Sequence, residues 1–455
     1  MRVPQIERDL GIEILATRTP GFGGSIKQTP EDFIVQEILV DGSKAEIQPK
    51  QHVSVPLQGK GRYLICLLVK RNMDTLLTVR KIAKQLGISE RRVQIAGIKD
   101  KNAVTAQHVS IENIKLAKLE RLRGEGFQVH PLRYSPNMVF PHMSFGNIFI
   151  ITIRDIDSSY MSLQTRVSKI AHELHVLKGV PNFFGHQRFG TIRPITHLVG
   201  RAIAKNNMKE AALLYLAKQS SHEHPQSREV RQQLRETLDF KDALRTFPRR
   251  LLYERLMLSH LAKNPKDYTG AFKRLPQRLS RLFLQAYQSY LFNKMLSQRV
   301  TQKISLTEPQ VGDYVIRTDR YGLPTRSHLK ATHGNLKDLR KAVKENKLCL
   351  AIPLIGFRQT TSDGHQGEIE QIILEEERIA PTDFRVSINP KMGAGGGLRA
   401  ALTPIIDLET KKATNDNLNV GKKSLTISFT LHRGCYATVV LREFLKPDNL
   451  IESGF

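Results

Sequence analysis

No run of about 18 apolar residues occurs in this 455-residue chain, so a membrane-spanning helix is not expected. The opening residues, MRVPQIERDLGIEIL, carry both charge signs and no apolar stretch, and do not read as a secretory signal. Cysteine is scarce: Cys66, Cys349 and Cys435 are far apart, odd in number and free of any Cys-x-x-Cys spacing. Neither a zinc site nor a disulfide framework is indicated, and a reducing, cytoplasmic setting fits. Tryptophan is absent too, which decides nothing about class. Acidic residues are few for the size. Lys and Arg total 70 against 43 Asp and Glu, a formal net charge of +27. A field of that sign attracts polyanions, nucleic acid first among them. No strongly amphipathic basic helix stands out to suggest an anionic membrane instead.

What is present is enough for a large core. A hydrophobic content of 40% over 455 residues, with domains of about 100–200 residues, implies two or three of them. The segment 30–38, PEDFIVQEI, alternates Phe33, Val35 and Glu37 with Ile34, Gln36 and Ile38 between turn-forming residues, as a strand does. Leu76, Val79, Ile82, Ala83 and Leu86 recur at helical spacing before Gly87, so 75–87 is expected to be an amphipathic helix. The run 93–100, VQIAGIKD, reads as a short strand ending on a charged pair. A β-branched strand is expected at 147–156 and a helix at 161–178. From about 195 to 300 the pattern is helical and basic, and 391–400, KMGAGGGLRA, reads as a flexible joint. The last 55 residues give strand, turn and helix.

Several weak signals dissolve on inspection. The Gly393–Gly397 cluster lacks a Lys-Ser/Thr ending and any Gly-x-Gly-x-x-Gly frame. His172 and His175 are three apart, not the four a zinc helix needs, and read with Glu173 as a solvated helix face. No metal and no cofactor are therefore expected.

The informative stretch is AGIKDKNAVTAQ (96–107), which presents the Asp100 carboxylate between Lys99 and Lys101. The residues alone leave two readings open: a turn in which Asp100 caps the next segment, or a catalytic carboxylate. Gly-x-Lys-Asp-x-x-Ala-Val-Thr-x-Gln resembles the signature of the TruD family of pseudouridine synthases. Four more segments are similar to that family in the same order: SIKQTPEDFIVQE (25–37), GNIFIITIR (146–154), VPNFFGHQRFG (180–190) and ISFTLHRGCYATVVLREFL (427–445). The likeness is thin from about 200 to 395. His432-Arg433 departs from the family's usual proline and is expected to leave that turn looser.

The resemblance implies an α+β fold: a pseudouridine synthase core built on a mixed sheet flanked by helices, with an inserted TruD-specific α/β domain. The expected layout is a catalytic domain at 1–178 and 399–455 interrupted by an insertion at 179–398. It implies tRNA as partner and the conversion of a specific uridine, usually position 13 in the D arm, to pseudouridine. By position, Asp100 is the catalytic nucleophile, Lys27 its charge partner, Phe149 the ring that stacks on uracil, and Asn147 a hydrogen-bonding neighbour. Whether the carboxylate attacks the sugar, attacks the base or removes a sugar proton stays open. Lys99 and Lys101 are expected to serve RNA phosphates, and Gln187 and Arg188 to line the RNA site. The rival reading is a non-catalytic RNA-binding or RNA-chaperone protein on the same scaffold.

Overall fold

The computed structural model describes residues 3–48, 60–119, 121–386 and 390–455. Contacts divide the chain into two units: residues 17–180 with 403–454, and residues 1–16 with 181–402 and Phe455. The division falls a few residues from the expected 178/179 and 398/399. It also assigns the first 16 residues to the middle of the chain. The reason lies in the long helix Gln277–Thr301. Its Asn293 amide donates to the Leu10 carbonyl (3.0 Å), and its Ser297 hydroxyl donates to the Gly11 carbonyl (2.8 Å) and accepts from the Glu13 N–H (3.0 Å).

Among the described residues, the first unit is built on a nine-stranded mixed sheet. Its strands are β1 (Phe33–Leu39), β2 (Tyr63–Arg71), β3 (Val93–Ile95), β4 (Val104–Glu112), β5 (Phe127–Ser135), β6 (Ser144–Ile156), β7 (Ile406–Thr410) and β8 (Lys423–His432). Residues 414–415 add a ninth, short edge segment on β8. The order is β7-β8-β6-β1-β4-β2-β5, with β3 on β4. β1 and β4 run parallel, and the pairs on either side of them are antiparallel. The fold is α+β.

Helix α1 (Thr75–Leu86) forms where its apolar spacing requires it. Asp74 caps its first turn by accepting from the Leu77 N–H, and Gly87 at φ 66° ends it. Its buried Val79, Ile82, Ala83 and Leu86 pack on Leu64, Cys66 and Leu68 of β2. Helices α2 (Tyr160–Val176) and α3 (Ala437–Leu445) belong to the same unit. The Glu173 carboxylate on α2 is not merely solvated: it accepts from the Thr19 N–H (3.1 Å), and also from the Arg18 N–H and the Thr19 hydroxyl.

The second unit is mostly helical through 301 and continues into a four-stranded antiparallel sheet of Gly397–Ala400, Leu348–Leu354, Tyr314–Thr318 and Pro324–Lys330. Two expectations are corrected here. Residues 397–400 of the supposed flexible joint are a paired edge strand, entered through Gly396 at φ 85°, where a Cβ would lie 2.6 Å from the Leu354 carbonyl. A basic amphipathic helix does exist, at Leu336–Lys344: Leu339 is buried in a small core with Val315 and Leu348, while Lys337, Arg340 and Lys341 are exposed. At nine residues it is too short to stand out in a long sequence window.

Candidate functional site

The register of the sheet assembles the site on one face. Residues paired across strands share a face, so Lys70 (β2), Thr105 (β4), Val35 (β1), Phe149 (β6) and Phe429 (β8) form one row. The neighbouring row on that face holds Glu37, Asn147 and Leu431. The Phe149 ring is buried among aromatics, 6.2 Å from the Phe33 ring in an edge contact and 5.6 Å from Phe429. We predict that Phe149→Ala lowers stability by about 3–5 kcal/mol, as for other buried Phe truncations. Phe149→Tyr should cost much less. Denaturant melts should be read beside activity per folded molecule, and a loss below about 1 kcal/mol would show that the ring is not packed.

Asp100 sits in the loop 96–103, not at a strand tip. The expected strand 93–100 ends at Ile95, and beyond it the loop's backbone is held mainly by side chains and not by a ladder. The Gln107 amide donates to the Gly97 carbonyl (3.1 Å). Thr75 at the start of α1 bonds both ends of Lys99, accepting from its N–H and donating to its carbonyl at 3.1 Å each. The Lys70 ammonium donates to the Asp100 carbonyl at 2.6 Å, and the Asn72 N–H to the Ala103 carbonyl at 3.0 Å.

Lys99 does not face solvent. Its ammonium is buried, donating to Glu37 Oε1 (2.8 Å) and Asn147 Oδ1 (2.7 Å). That placement corrects the expectation that it serves RNA phosphates. Glu37 is fully buried, and its second oxygen accepts from the His108 N–H (2.9 Å) and lies 3.3 Å from His108 Nδ1. Burial pushes its carboxyl up, but the His108 bonds and the Lys99 charge outweigh that and hold it below the usual range. Lys101 is exposed and remains available to phosphates.

Lys27 reaches the same face from the segment 25–32. Its backbone is left-handed, φ 60°, a conformation a non-glycine residue adopts only when its surroundings impose it. Here they do. Ser25 exchanges both backbone bonds with Arg154 (2.8 Å each), and the Ile26 N–H donates to the Ser453 carbonyl (2.9 Å). Downstream, Asp32 accepts from the Thr29 N–H (2.8 Å) and from Arg154 Nε (2.7 Å). The Lys27 ammonium stands 4.5 Å from the centre of the Phe33 ring. Burial lowers its pKa, and the Asp100 carboxylate raises it in part.

The structure thus brings Asp100, Lys27, Lys99, Asn147 and Phe149 together in one unit. Gln187 and Arg188 belong to the other, on the turn His186–Arg188, where Arg188 Nε donates to Ser289 Oγ (3.1 Å). Two site residues escaped sequence reasoning, Glu37 and Lys70. The available signal was the same for both: a charged side chain in phase with the apolar face of its strand, Glu37 with Phe33 and Val35, Lys70 with Leu64, Cys66 and Leu68. The turn at 432–433 is tied down, not loose: Arg433 Nη1 donates to the carbonyls of His142 (2.6 Å) and Ser144 (3.0 Å). Among the described residues no group of three or more His, Cys, Asp or Glu could hold a metal ion, and no helix is long and apolar enough to cross a membrane.

Comparison with known proteins gives a family model described as tRNA pseudouridine synthase D (TruD), which matches residues 9–444. The chain is 41% identical over 453 residues to a probable tRNA pseudouridine synthase D of Methanosarcina acetivorans, covering 99% of each. It is 37% identical over 443 residues to the one of Archaeoglobus fulgidus, covering 97% of this chain and 100% of that one. Among solved structures, the putative tRNA pseudouridine synthase D of Methanosarcina mazei superimposes with a TM-score of 0.83 at 37% identity, over 98% of this chain and 99% of that one.

Proposed function

The chain belongs to the TruD family of tRNA pseudouridine synthases, and on that premise we propose that it isomerises one uridine of the tRNA D arm, at position 13, using the Asp100 carboxylate. The observation that carries this reading is the convergence on one sheet face of Asp100, the Lys27 ammonium and the Lys99–Glu37–Asn147 network, with the Phe149 row beside them. The reaction needs an ionised carboxylate to break the base–sugar bond and hold an intermediate while uracil turns over. A cation close to that carboxylate attracts its charge and helps hold it in place. Lys27 fills that role. Asn147, oriented by Lys99, is the polar neighbour of the base, and Phe149 is the ring against which uracil is read, on the same strand face as Asn147. The uridine leaves its stack to reach this face, and Lys101 contacts phosphate. The first unit is the catalytic domain, the second the insertion, and the cytoplasm is where such an enzyme meets tRNA.

Mapping pseudouridine in tRNA from cells with and without this protein tests the proposal. A position-13 signal that survives loss of the protein overturns the assignment of the target. Conversion absent at every uridine favours the rival, a non-catalytic RNA-binding protein. The charge of +27 carries a separate expectation. Affinity for tRNA should fall steeply with salt, with a log–log slope of several units, each neutralised phosphate contributing about −0.7 to −0.9. A slope near zero in a filter-binding series from low to physiological salt would remove the phosphate contacts from the argument.

A further inference from the structure

Lys70, whose ammonium touches the Asp100 loop, has no role in the proposed reaction. Lys70 ends the apolar face of β2, and its side chain is almost wholly buried. Its ammonium reaches two backbone oxygens, Asp100 at 2.6 Å and Met73 at 2.8 Å. Among the described residues it has no carboxylate within 4 Å, so it is not the buried half of an ion pair. Nor does it bond the hydroxyl directly across the sheet: Thr105, its cross-strand neighbour on β4, keeps a buried Oγ1 without a hydrogen-bond partner. A buried ammonium committed to two carbonyls is an expensive way to join a turn, since a neutral donor would join it without burying a charge.

We infer that Lys70 is a positioning residue for Asp100: its ammonium fixes the peptide from which the catalytic carboxylate projects and supplies positive charge behind it. This rests on the reading of Asp100 as the catalytic residue. The carbonyl that Lys70 holds belongs to Asp100 itself, and Thr75 holds the adjoining Lys99 peptide from the other direction. The carboxylate is thereby aimed before substrate arrives, and small misplacements of a reacting group cost rate steeply. The charged groups that act on Lys70 are Asp100 in the loop, Asp74 at the cap of α1 and Lys99. Across the strands it faces Thr105 on β4 and Phe127 on β5, neither of which titrates near neutral pH. Burial brings its ammonium down to about 8, with Asp100 and Asp74 resisting and Lys99 assisting. The charge behind Asp100 is therefore present below pH 8 and lost above it.

The experiment is single-turnover pseudouridine formation on tRNA as a function of pH, with Lys70→Met and Lys70→Arg beside wild type and Asp100→Asn. Wild type should lose rate above about pH 8. Lys70→Met should lower the rate constant about 100-fold with the KM for tRNA unchanged. Lys70→Arg keeps the charge, and should recover most of the rate and move the alkaline limb upward. A Lys70→Met rate within about threefold of wild type overturns the inference, as does a loss confined to KM. If Lys70→Met does not fold, the limb decides: the same midpoint in wild type and Lys70→Arg assigns it to Lys27 or another group and overturns the inference. Activity in Asp100→Asn would instead bring down the functional reading itself.

Discussion

Asp100→Asn is expected to fold, to bind tRNA within a few-fold of wild type and to form no detectable pseudouridine. The substitution keeps the side chain's shape and most of its hydrogen-bonding reach while removing the ionisable group. The loop should not move. Its anchors are the Lys70 bond to the Asp100 carbonyl, the paired Thr75 bonds to Lys99 and the Gln107 bond to Gly97, and none uses the Asp100 carboxylate. Were Asp100 only a turn or capping residue, asparagine would serve nearly as well, with stability shifted by at most about 1 kcal/mol and activity intact. As the carboxylate that breaks the base–sugar bond, its loss removes the chemistry and leaves the RNA contacts. Tritium release from carbon-5-labelled uridine tRNA, run with a binding titration and a melting curve, separates the two. Residual turnover within about tenfold of wild type would show that Asp100 is not the catalytic residue.

The second large effect belongs to Glu37. Glu37→Ala leaves the buried Lys99 ammonium with only the Asn147 oxygen and strips two bonds from His108. Breaking a buried ion pair on one side typically destabilises by about 3–5 kcal/mol, because the remaining charge stays uncompensated. We expect a loss of that order in the denaturant midpoint of the first unit. Glu37→Leu combined with Lys99→Met should regain much of the stability, since no buried charge is then left alone, but not the activity, since Asn147 loses its donor. A single-variant loss below about 1 kcal/mol would make the pair equivalent to a solvent-exposed one. The sign of the acid dependence follows. The Glu37 carboxyl is held below its ordinary range, so its stabilising contribution is complete above about pH 4.3 and is lost as pH falls through its lowered folded value. Acid melts of wild type and the double variant should differ in slope in that window, with wild type losing more stability.

The regular elements of the first unit were legible because each is written in a local period. Alternation of Phe33, Val35 and Glu37 marks β1, the Val79–Leu86 stripe between Asp74 and Gly87 marks α1, with Leu76 of the expected stripe exposed, and the β-branched run marks β6. The motif around Asp100, with its neighbours in order along the chain, pointed to the family without any knowledge of contacts. The failures have a common cause. The run 93–100 carries strand-like composition, yet its last residues bond to side chains of Thr75, Gln107 and Lys70 that no local pattern announces. Residues 397–400 look flexible because they begin with glycine, and become a strand because Leu348–Leu354 offers them an edge.

By itself, then, the sequence determined the family, the basic character, and most strands and helices, and it singled out Asp100 and Lys27 as candidates, because these reside in composition, short periods and motif order. The tertiary structure alone decided where the lysines lie and what they bond. Lys99 and Lys101 are equivalent as letters flanking an aspartate, but one is buried and the other exposed. A buried ammonium is tolerable only where acceptors arrive from elsewhere in the chain. Glu37 stands 62 residues from Lys99, Asn147 stands 48, and the carbonyl that Lys70 holds lies 30 residues away. Those separations close only when β1, β2 and β6 have taken their register, and the energy that selects a buried charge's partner exists only in that folded, low-dielectric arrangement.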